Sequence, residues 1–405
     1  MTVNLSAPEK LLAVKGVRLA SIASGIKKNG STDLVLIELA EDTNCAAVFT
    51  QNRFRAAPVI IAENYLSKSS PRLLMINSGN ANAGTGETGY KDAMRTCELA
   101  ALALGCNQEQ VLPFSTGVIG ENLPLECFEK SLPEFTSRLA EDAWLTAANG
   151  IMTTDTVAKG ISRQIEIDGE IVTLTGIAKG SGMIKPNMAT MLSYIATDAK
   201  ITDKLLSQCL KESVEHSFNS ITVDGDTSTN DSCVIVATGK SKATEITENS
   251  LQLDTFNKVL NEIMQFLAQA IIRDAEGVTK FVSIKVVNAE SYEDAKKVAY
   301  TVAHSPLVKT ALFASDPNWG RILAAVGRAE IETLFIEKIS IYLGDTCIVR
   351  AGGRATEYTE EAGQAVMSES ELDITIDLSH GDQCSTVWTS DLSYDYVKIN
   401  AEYRT

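Results

Sequence analysis

The chain has 405 residues, 44% of them apolar and 22% charged, so it can bury a large core in two domains or in one large and one smaller domain. Acidic residues outnumber basic ones by 52 to 36, and the net charge of −16 argues against nucleic acid or an anionic membrane as partner. The sequence shows no secretory signal, and no apolar run approaches the ~18 residues of a spanning helix. We therefore expect a soluble cytoplasmic protein.

Eight cysteines are scattered along the chain without a Cys-x-x-Cys pair or histidines at the spacing of a zinc site. We expect them to be reduced, mostly buried thiols, and we expect no metal. The three histidines (His216, His304 and His380) lie far apart, and none adjoins a serine or cysteine in a nucleophile-elbow motif. Ordinary surface or core positions are favoured for them over a hydrolase triad.

Strands are predicted first along the chain, where short apolar runs alternate with turn residues: 34–39, 46–50 and 72–77. A small-residue loop at 79–84 then leads into a predicted amphipathic helix over 90–104. A second such unit begins at Val111, with a loop over 113–120 before a helical stretch at 123–139. This order of strand, loop and helix predicts a layered α/β fold.

The second half of the chain continues the mixed pattern. Residues 164–177 are typical of a hairpin turning at Asp168-Gly169. Helices are predicted at 203–217 and 251–272. A fresh strand–helix–strand series starts near residue 280, so we predict domains over 1–279 and 280–405.

Two segments have the content of ligand loops without the required spacing. Gly180-Ser181-Gly182 followed by Lys185 meets neither the dinucleotide fingerprint nor the P-loop pattern, so a tight turn is the better interpretation. Residues 224–231 resemble a calcium loop in content, but glycine is missing at the sixth position of such a loop and glutamate at the twelfth. Neither segment predicts a cofactor.

The segment Lys179-Gly180-Ser181-Gly182-Met183-Ile184, with Pro186-Asn187-Met188-Ala189-Thr190-Met191-Leu192 after it, resembles the self-processing signature of the ornithine acetyltransferase family, also called glutamate N-acetyltransferase. Further segments similar to that family occur along the whole chain, in family order: 77–83, 115–120, 152–156, 224–231, 273–277, 316–321 and 400–405. Several long motifs in the right order make a chance match very improbable.

The resemblance implies a fold and an arrangement of the chain. The fold would be a layered α/β sandwich of the self-processing type, with a smaller C-terminal α/β domain whose tail reaches the active site. The chain would cut itself between Ala189 and Thr190 into an alpha chain (1–189) and a beta chain (190–405), which would associate as an alpha2beta2 heterotetramer.

The resemblance also implies the site residues. Thr190 would be the nucleophile, and Thr116 and Gly117 would form the oxyanion hole. The substrate pocket would be lined by Thr153, Lys179, Thr190, Glu276, Asn400 and Thr405. The enzyme would move an acetyl group from N-acetylornithine to glutamate in two half-reactions, with acetyl-CoA as a possible second donor and with no cofactor.

The chemistry is consistent with the residue types. A threonine hydroxyl needs a base, and cutting the Ala189–Thr190 bond frees an α-amino group with a reference pKa of ~7.7–8 on the same residue. The cut itself would be an attack by the hydroxyl on the preceding carbonyl, followed by hydrolysis of the ester.

Other interpretations stay open. A self-cleaving amidase or aminopeptidase would give the acyl group to water, and a non-catalytic relative would only bind amino acids. Without the resemblance, Ser115–Gly117 is more typical of a plain turn. The tail from Tyr394 contains a strand-like run with three aromatics, which suits a tail lying against the body, but without the resemblance a frayed tail is favoured.

Overall fold

The structure is a computed structural model that describes residues 2–185 and 191–402. Its strands are β1 (Val17–Ile22), β2 (Leu34–Leu39), β3 (Asn44–Phe49), β4 (Leu73–Asn80), β5 (Val111–Val118), β6 (Lys159–Ile167), β7 (Glu170–Lys179), β8 (Leu192–Thr197), β9 (Ile221–Thr222), β10 (Ser232–Ala237), β11 (Phe281–Ala289), β12 (Ser340–Leu343), β13 (Thr346–Arg350), β14 (Gly353–Arg354), β15 (Glu371–Asp377) and β16 (Gln383–Ser390). Its α-helices are α1 (Ala57–Leu66), α2 (Gly86–Leu104), α3 (Leu125–Ser131), α4 (Trp144–Gly150), α5 (Asp203–Glu215), α6 (Leu251–Arg273), α7 (Tyr292–Ala303), α8 (Pro306–Phe313), α9 (Trp319–Gly327), α10 (Glu360–Met367) and α11 (Tyr394–Ala401).

The chain divides into two compact units. The sandwich unit comprises Ser6–Asn219 and Asp226–Ile271. The seven-stranded unit comprises the residues up to Leu5, the short segment Ser220–Gly225, and the chain from Ile272 onward. The boundary that we predicted near residue 280 stays a prediction.

The sandwich unit contains two sheets. One has the order β1-β2-β4-β5, and its strands β4 and β5 run parallel. The other has the order β3-β10-β8-β7-β6, in which β8 and β10 run parallel. The hairpin β6–β7 turns at Asp168 and Gly169, whose φ angles of 51° and 79° are both positive, as a two-residue hairpin of the primed type requires.

One apolar core joins these two sheets. Phe114 of β5 and Tyr194 of β8 meet edge to face with ring centroids 5.3 Å apart, and both are buried. On the other face of the second sheet, a Cβ added at Gly176 would lie 3.0 Å from Ile263 and from Leu267, so α6 packs closely there. Helices α1 and α2 pack against β5. The layers are therefore helix, sheet, sheet, helix, and the predicted layered α/β fold is confirmed.

The seven-stranded unit has one mixed sheet of order β14-β13-β12-β15-β11-β16-β9. Its strand β11 runs parallel to β15 and antiparallel to β16. Helix α7 packs on β11 and β16, and the buried side chains of Ile284, Val298 and Val302 belong to the core between them. Apolar alternation along β15 is typical of a strand with one buried face.

Two local predictions were wrong. Residues 113–118 of the loop predicted at 113–120 belong to β5, because Phe114 is buried and pairs with Ile76 of β4. The C-terminal segment predicted to be strand-like is helix α11. The Ser393 hydroxyl caps that helix by accepting the Tyr396 amide at 3.2 Å, which outweighs the strand preference of the aromatic residues.

The cysteines are less buried than the sequence predicts. All eight cysteines are unpaired, but only Cys97, Cys209 and Cys233 are buried, and Cys384 is exposed. The expectation of mostly buried thiols was therefore too strong.

Among the helices in the described part of the chain, none is both long enough and apolar enough to cross a membrane.

Candidate active site

The parallel strands β4 and β5 end side by side, and their glycines meet there. Gly79 lies opposite Gly117, one residue beyond the pair of Ser78 with Thr116. Gly117 has a φ of 136°, and a Cβ at this position would lie 2.3 Å from the carbonyl carbon of Gly79. Only glycine fits here, because the other residue types would clash with backbone that cannot move aside.

A lysine from the second sheet reaches this strand end. Lys179 is the last residue of β7, and its Nζ donates a hydrogen bond to Thr116 Oγ1 at 3.1 Å. The Thr116 side chain is almost buried. The contact places an ammonium group beside the Thr116-Gly117 backbone, where it can stabilise negative charge on an oxygen held at that point.

Asp155 organises the loop beside Lys179. One carboxylate oxygen accepts the Gly180 amide at 2.7 Å, and the other accepts the Thr153 amide at 3.0 Å. The side chain also forms an ion pair of 2.7 Å with Lys159, and neither side chain has any exposed surface. This aspartate therefore holds the segment of Thr153 and the segment that follows Lys179 in one arrangement.

Charge explains the protonation state of Asp155. Burial alone would raise the pKa of its carboxyl group. The positive charges of Lys159 and Lys179, with the Gly180 amide, outweigh burial and hold the pKa below its ordinary value. The carboxylate is therefore charged at neutral pH.

A further lysine lies close to this cluster. Lys27 Nζ donates to the carbonyl oxygens of Met152 at 2.8 Å and Thr32 at 3.1 Å. Burial lowers the pKa of Lys27, and the nearby positive charge of Lys179 lowers it further against the opposing effect of Asp33 and Asp155. The cluster therefore combines three lysines, Lys27, Lys159 and Lys179, with the carboxylates of Asp33 and Asp155.

Asp231 directly precedes β10, next to the beginning of β8. Ser232 pairs with Leu192, and the Asp231 carboxyl receives hydrogen bonds from the Met191 amide and from Ser228. Its Oδ2 atom is buried and has no hydrogen-bond partner among residues 2–185 and 191–402. Burial raises the pKa of Asp231 well above its ordinary range, although Lys179 opposes the shift.

Two other predicted site residues lie together in the seven-stranded unit. Asn400 Nδ2 on α11 donates to Glu276 Oε2 at 2.8 Å. Next to Glu276, the Gly277 carbonyl accepts the Ser393 hydroxyl at 2.6 Å, and a Cβ on Gly277 would lie 2.4 Å from the Tyr396 amide. This close approach positions Asn400 against Glu276.

The predicted site residues thus fall into two described sets. Thr116, Gly117, Thr153 and Lys179 cluster in the sandwich unit, and Glu276 contacts Asn400 in the other unit. Ala189, Thr190 and Thr405 lie outside the described residues. The roles of all these residues stay predictions.

Sequence reasoning missed the parts played by Asp155, Lys159, Lys27 and Asp231. Asp155 and Asp231 each lie in a segment similar to the ornithine acetyltransferase family. That similarity was a signal that these two carboxylates take part in the site. Lys27 and Lys159 carry no local signal, because a lysine is usually exposed.

Known proteins match this chain closely. The model of the ArgJ family matches residues 18–405. The arginine biosynthesis bifunctional protein ArgJ of Pseudomonas syringae pv. tomato is 52% identical over 406 residues and covers 100% of both chains. The protein of the same name from Methylococcus capsulatus is 52% identical over 98% of this chain and 97% of its own.

A solved structure supports the match. The crystal structure of the arginine biosynthesis bifunctional protein ArgJ from Bacillus halodurans is 38% identical, with a TM-score of 0.51. It covers 53% of this chain and 100% of the crystallised chain. The layered fold and these matches define an α/β acyltransferase. This chain belongs to the ArgJ family and is an enzyme of arginine biosynthesis, which confirms the predicted resemblance.

Proposed function

We propose that the chain transfers an acetyl group from N-acetylornithine to glutamate through the hydroxyl of Thr190. One observation carries this assignment. Lys179, which donates to Thr116, pairs across the sheet with Leu192. Thr190 comes two residues before Leu192 in the sequence. A nucleophile at position 190 is therefore next, along the chain, to the start of β8, which pairs with Lys179 beside the candidate oxyanion site.

The first half-reaction forms an acetyl ester. The Thr190 hydroxyl attacks the amide carbonyl of N-acetylornithine, the C–N bond breaks, and the ornithine amine leaves with a proton. In the second, the glutamate amine attacks the ester, the C–O bond breaks, and the hydroxyl regains its proton. We assign Thr116 and Gly117 to stabilise the oxyanion of both steps, and one such donor contributes roughly 10²–10³-fold. This chemistry requires no metal or organic cofactor.

We assign the remaining predicted residues to substrate binding. Lys179 and the Thr153 segment suit a substrate carboxylate, because Asp155 holds both in place and Lys27 adds positive charge. Glu276, bonded to Asn400, offers a negative charge for a substrate amine. Thr405 is proposed to line the same pocket.

We also propose that the chain cuts itself between Ala189 and Thr190. The new α-amino group of Thr190 would then act as the base for its own hydroxyl. Asp231 supports this arrangement, because it binds the Met191 amide directly after the cleavage point. The length of the B. halodurans chain also supports it, since that whole chain matches 53% of this one. Residues 190–405 make up a similar share, 216 of 405 residues.

The relatives are named bifunctional proteins, which favours a second activity. We assign to it the acetylation of glutamate from acetyl-CoA on the same threonine. We further propose that the two fragments stay associated, as an alpha2beta2 assembly, and that the enzyme works in the cytoplasm on free amino acids.

Thr190→Ala should leave the chain uncut and abolish transfer, whereas Thr190→Ser should retain part of both, because serine keeps a hydroxyl. Denaturing gels and N-terminal sequencing check the cut. Mass spectrometry after adding N-acetylornithine alone should find one acetyl group on the 190–405 fragment. An active enzyme with an intact chain, or equal acetate release with and without glutamate, would contradict the proposal.

A further inference from the structure

A groove lies beside the exposed edge of β3, and none of the residues of the Lys179 cluster lines it. Its volume of about 560 Å³ falls within the range of small-molecule sites. The lining residues come from the end of β3, from the loop after it and from α1: Ala47, Val48, Phe49, Thr50, Gln51, Asn52, Arg53, Arg55 and Glu63. Neither the predicted substrates nor the roles assigned above account for this groove.

The groove concentrates positive charge in a chain whose net charge is −16. Arg55 forms an ion pair with Glu63 at 2.7 Å. Within the described residues, Arg53 forms no ion pair, although the chain is rich in acidic side chains. Guanidinium groups bind phosphate oxygens in a bidentate fashion, so two of them on one groove indicate a phosphorylated ligand.

An exposed aromatic side chain separates the two arginines in the sequence. Phe54 is 59% exposed, and its ring lies beside Gly84 and Ile119, next to the residues that line the groove. A flat aromatic ring beside cationic groups is the usual platform for a nucleobase, which stacks on it while its phosphates meet the cations. The pattern therefore favours a ligand with both a base and phosphates.

Hydrogen bonds tie the groove to the segment that contains Asp231. Thr50 donates its amide to the Asp231 carbonyl at 3.0 Å and its hydroxyl to the Ser228 carbonyl at 2.8 Å. Asn52 Nδ2 donates to the Thr227 carbonyl at 3.0 Å. The groove is therefore held at a fixed position relative to the start of β8 and β10.

The groove also adjoins the strand end of Thr116-Gly117. Phe49, which lines the groove, packs on the same small apolar cluster as Ile119. Ile119 follows Thr116 by three residues, about 10 Å along an extended chain. A ligand anchored in the groove by its phosphates can therefore reach the candidate oxyanion site with a flexible arm.

We propose that this groove binds the phosphorylated nucleotide end of a coenzyme A thioester, with Arg53 and Arg55 on its phosphates and Phe54 against its base. The inference rests on the proposed acetyl transfer through Thr190. The thioester carbonyl would be attacked by the threonine hydroxyl, the C–S bond would break, the thiol would leave with a proton, and the acetyl ester would form. N-acetylornithine has no phosphate and makes no use of the groove.

The test compares the two donors on the Arg53→Ala/Arg55→Ala double variant. Losing two charge-assisted contacts should raise the KM for acetyl-CoA by roughly 10- to 100-fold. The KM and kcat with N-acetylornithine should stay within about twofold of wild type, because the groove lies outside that substrate's site. Arg95→Ala removes an exposed arginine of α2 that pairs with Glu98, and it serves as the matched control.

A third variant changes the opposite charge. Glu63→Gln removes a carboxylate that lines the groove and releases Arg55 from its ion pair. It should therefore lower the KM for acetyl-CoA a few-fold and leave transfer from N-acetylornithine unchanged. An unchanged or higher KM for acetyl-CoA would count against the groove as the phosphate site.

Direct binding separates this inference from the proposed function. Calorimetry with coenzyme A itself should show binding to wild type and its loss in the double variant. If transfer from N-acetylornithine is normal but coenzyme A does not bind, or binds both proteins equally, the groove assignment is overturned while the proposed function survives. If wild type shows no transfer from N-acetylornithine at all, the proposed function fails independently of the groove.

Discussion

Lys159 in the sandwich unit and Lys309 in the seven-stranded unit are both buried, but their ammonium groups have different partners. Lys159 Nζ lies 2.7 Å from the Asp155 carboxylate. Lys309 on α8 instead donates to the Ser390 carbonyl and, at 3.1 Å, to the Thr389 hydroxyl. One lysine is thus neutralised by direct contact, and the other is bonded to uncharged oxygens.

The difference appears in how each cluster responds to protons. Burial lowers the pKa of Lys309 to about 8, although Asp391 and Asp224 oppose the shift from a greater distance. In the sandwich unit, the two lysines hold the pKa of Asp155 below its ordinary value despite complete burial. Direct pairing with an opposite charge therefore keeps a buried cluster charged. Uncharged partners instead leave the pKa of a buried lysine close to physiological pH.

The largest expected effect is that of Asp155→Asn. The amide would keep a similar shape but leave Lys159 buried without a counter-charge, which costs about 3–5 kcal/mol in the free energy of unfolding. Urea denaturation measures the loss, and acetyl transfer should fall with it because Thr153 and Gly180 lose their anchor. The double variant Asp155→Asn/Lys159→Met should recover much of the stability. A single variant within 1 kcal/mol of wild type would show that the ion pair matters little.

A smaller, pH-dependent effect is expected at Lys309. Between pH 8 and 10.5 the unfolded chain holds more protons at this residue than the folded one does, so Lys309 makes the free energy of unfolding increase with pH. The increase is at most about 1.4 kcal/mol per pH unit. The Lys309→Met variant lacks this increase. Across this pH window, the free energy of unfolding of the wild type should therefore rise relative to that of the variant. Parallel curves for the two proteins would contradict the comparison.

The smallest effect should come from an exposed pair. Arg95 and Glu98 lie three residues apart on α2, with side chains 43% and 49% exposed. Because water solvates both charges, Arg95→Ala should change the free energy of unfolding by only a few tenths of a kcal/mol. Thermal or urea unfolding at low and high salt checks this. A loss comparable to that of Asp155→Asn would show that burial does not separate the two classes of ion pair.

The sequence by itself determined the class of fold, the family and most regular elements. Apolar patterns predicted β2, α5 and α6 within a few residues. Each helix buries one face, which the spacing of its apolar side chains records, whereas β2 is buried along its whole length and is a nearly continuous apolar run. The turn at Asp168-Gly169 was equally clear, since few residue pairs adopt two positive φ angles. The candidate residues came from long motifs, which need no spatial information.

Only the tertiary structure decided where polar groups meet and which weak local preferences prevail. Lys179 and Thr116 are 63 residues apart, and Lys309 and Ser390 are 81 apart, so no local pattern records either contact. Strand β5 extends through Thr116 and Gly117 because it pairs with β4, and α11 forms because Ser393 caps it. Pairing and capping partners outweigh intrinsic preferences of a few tenths of a kcal/mol per residue. Burial decides which of the many charged side chains contribute strongly to the free energy of unfolding.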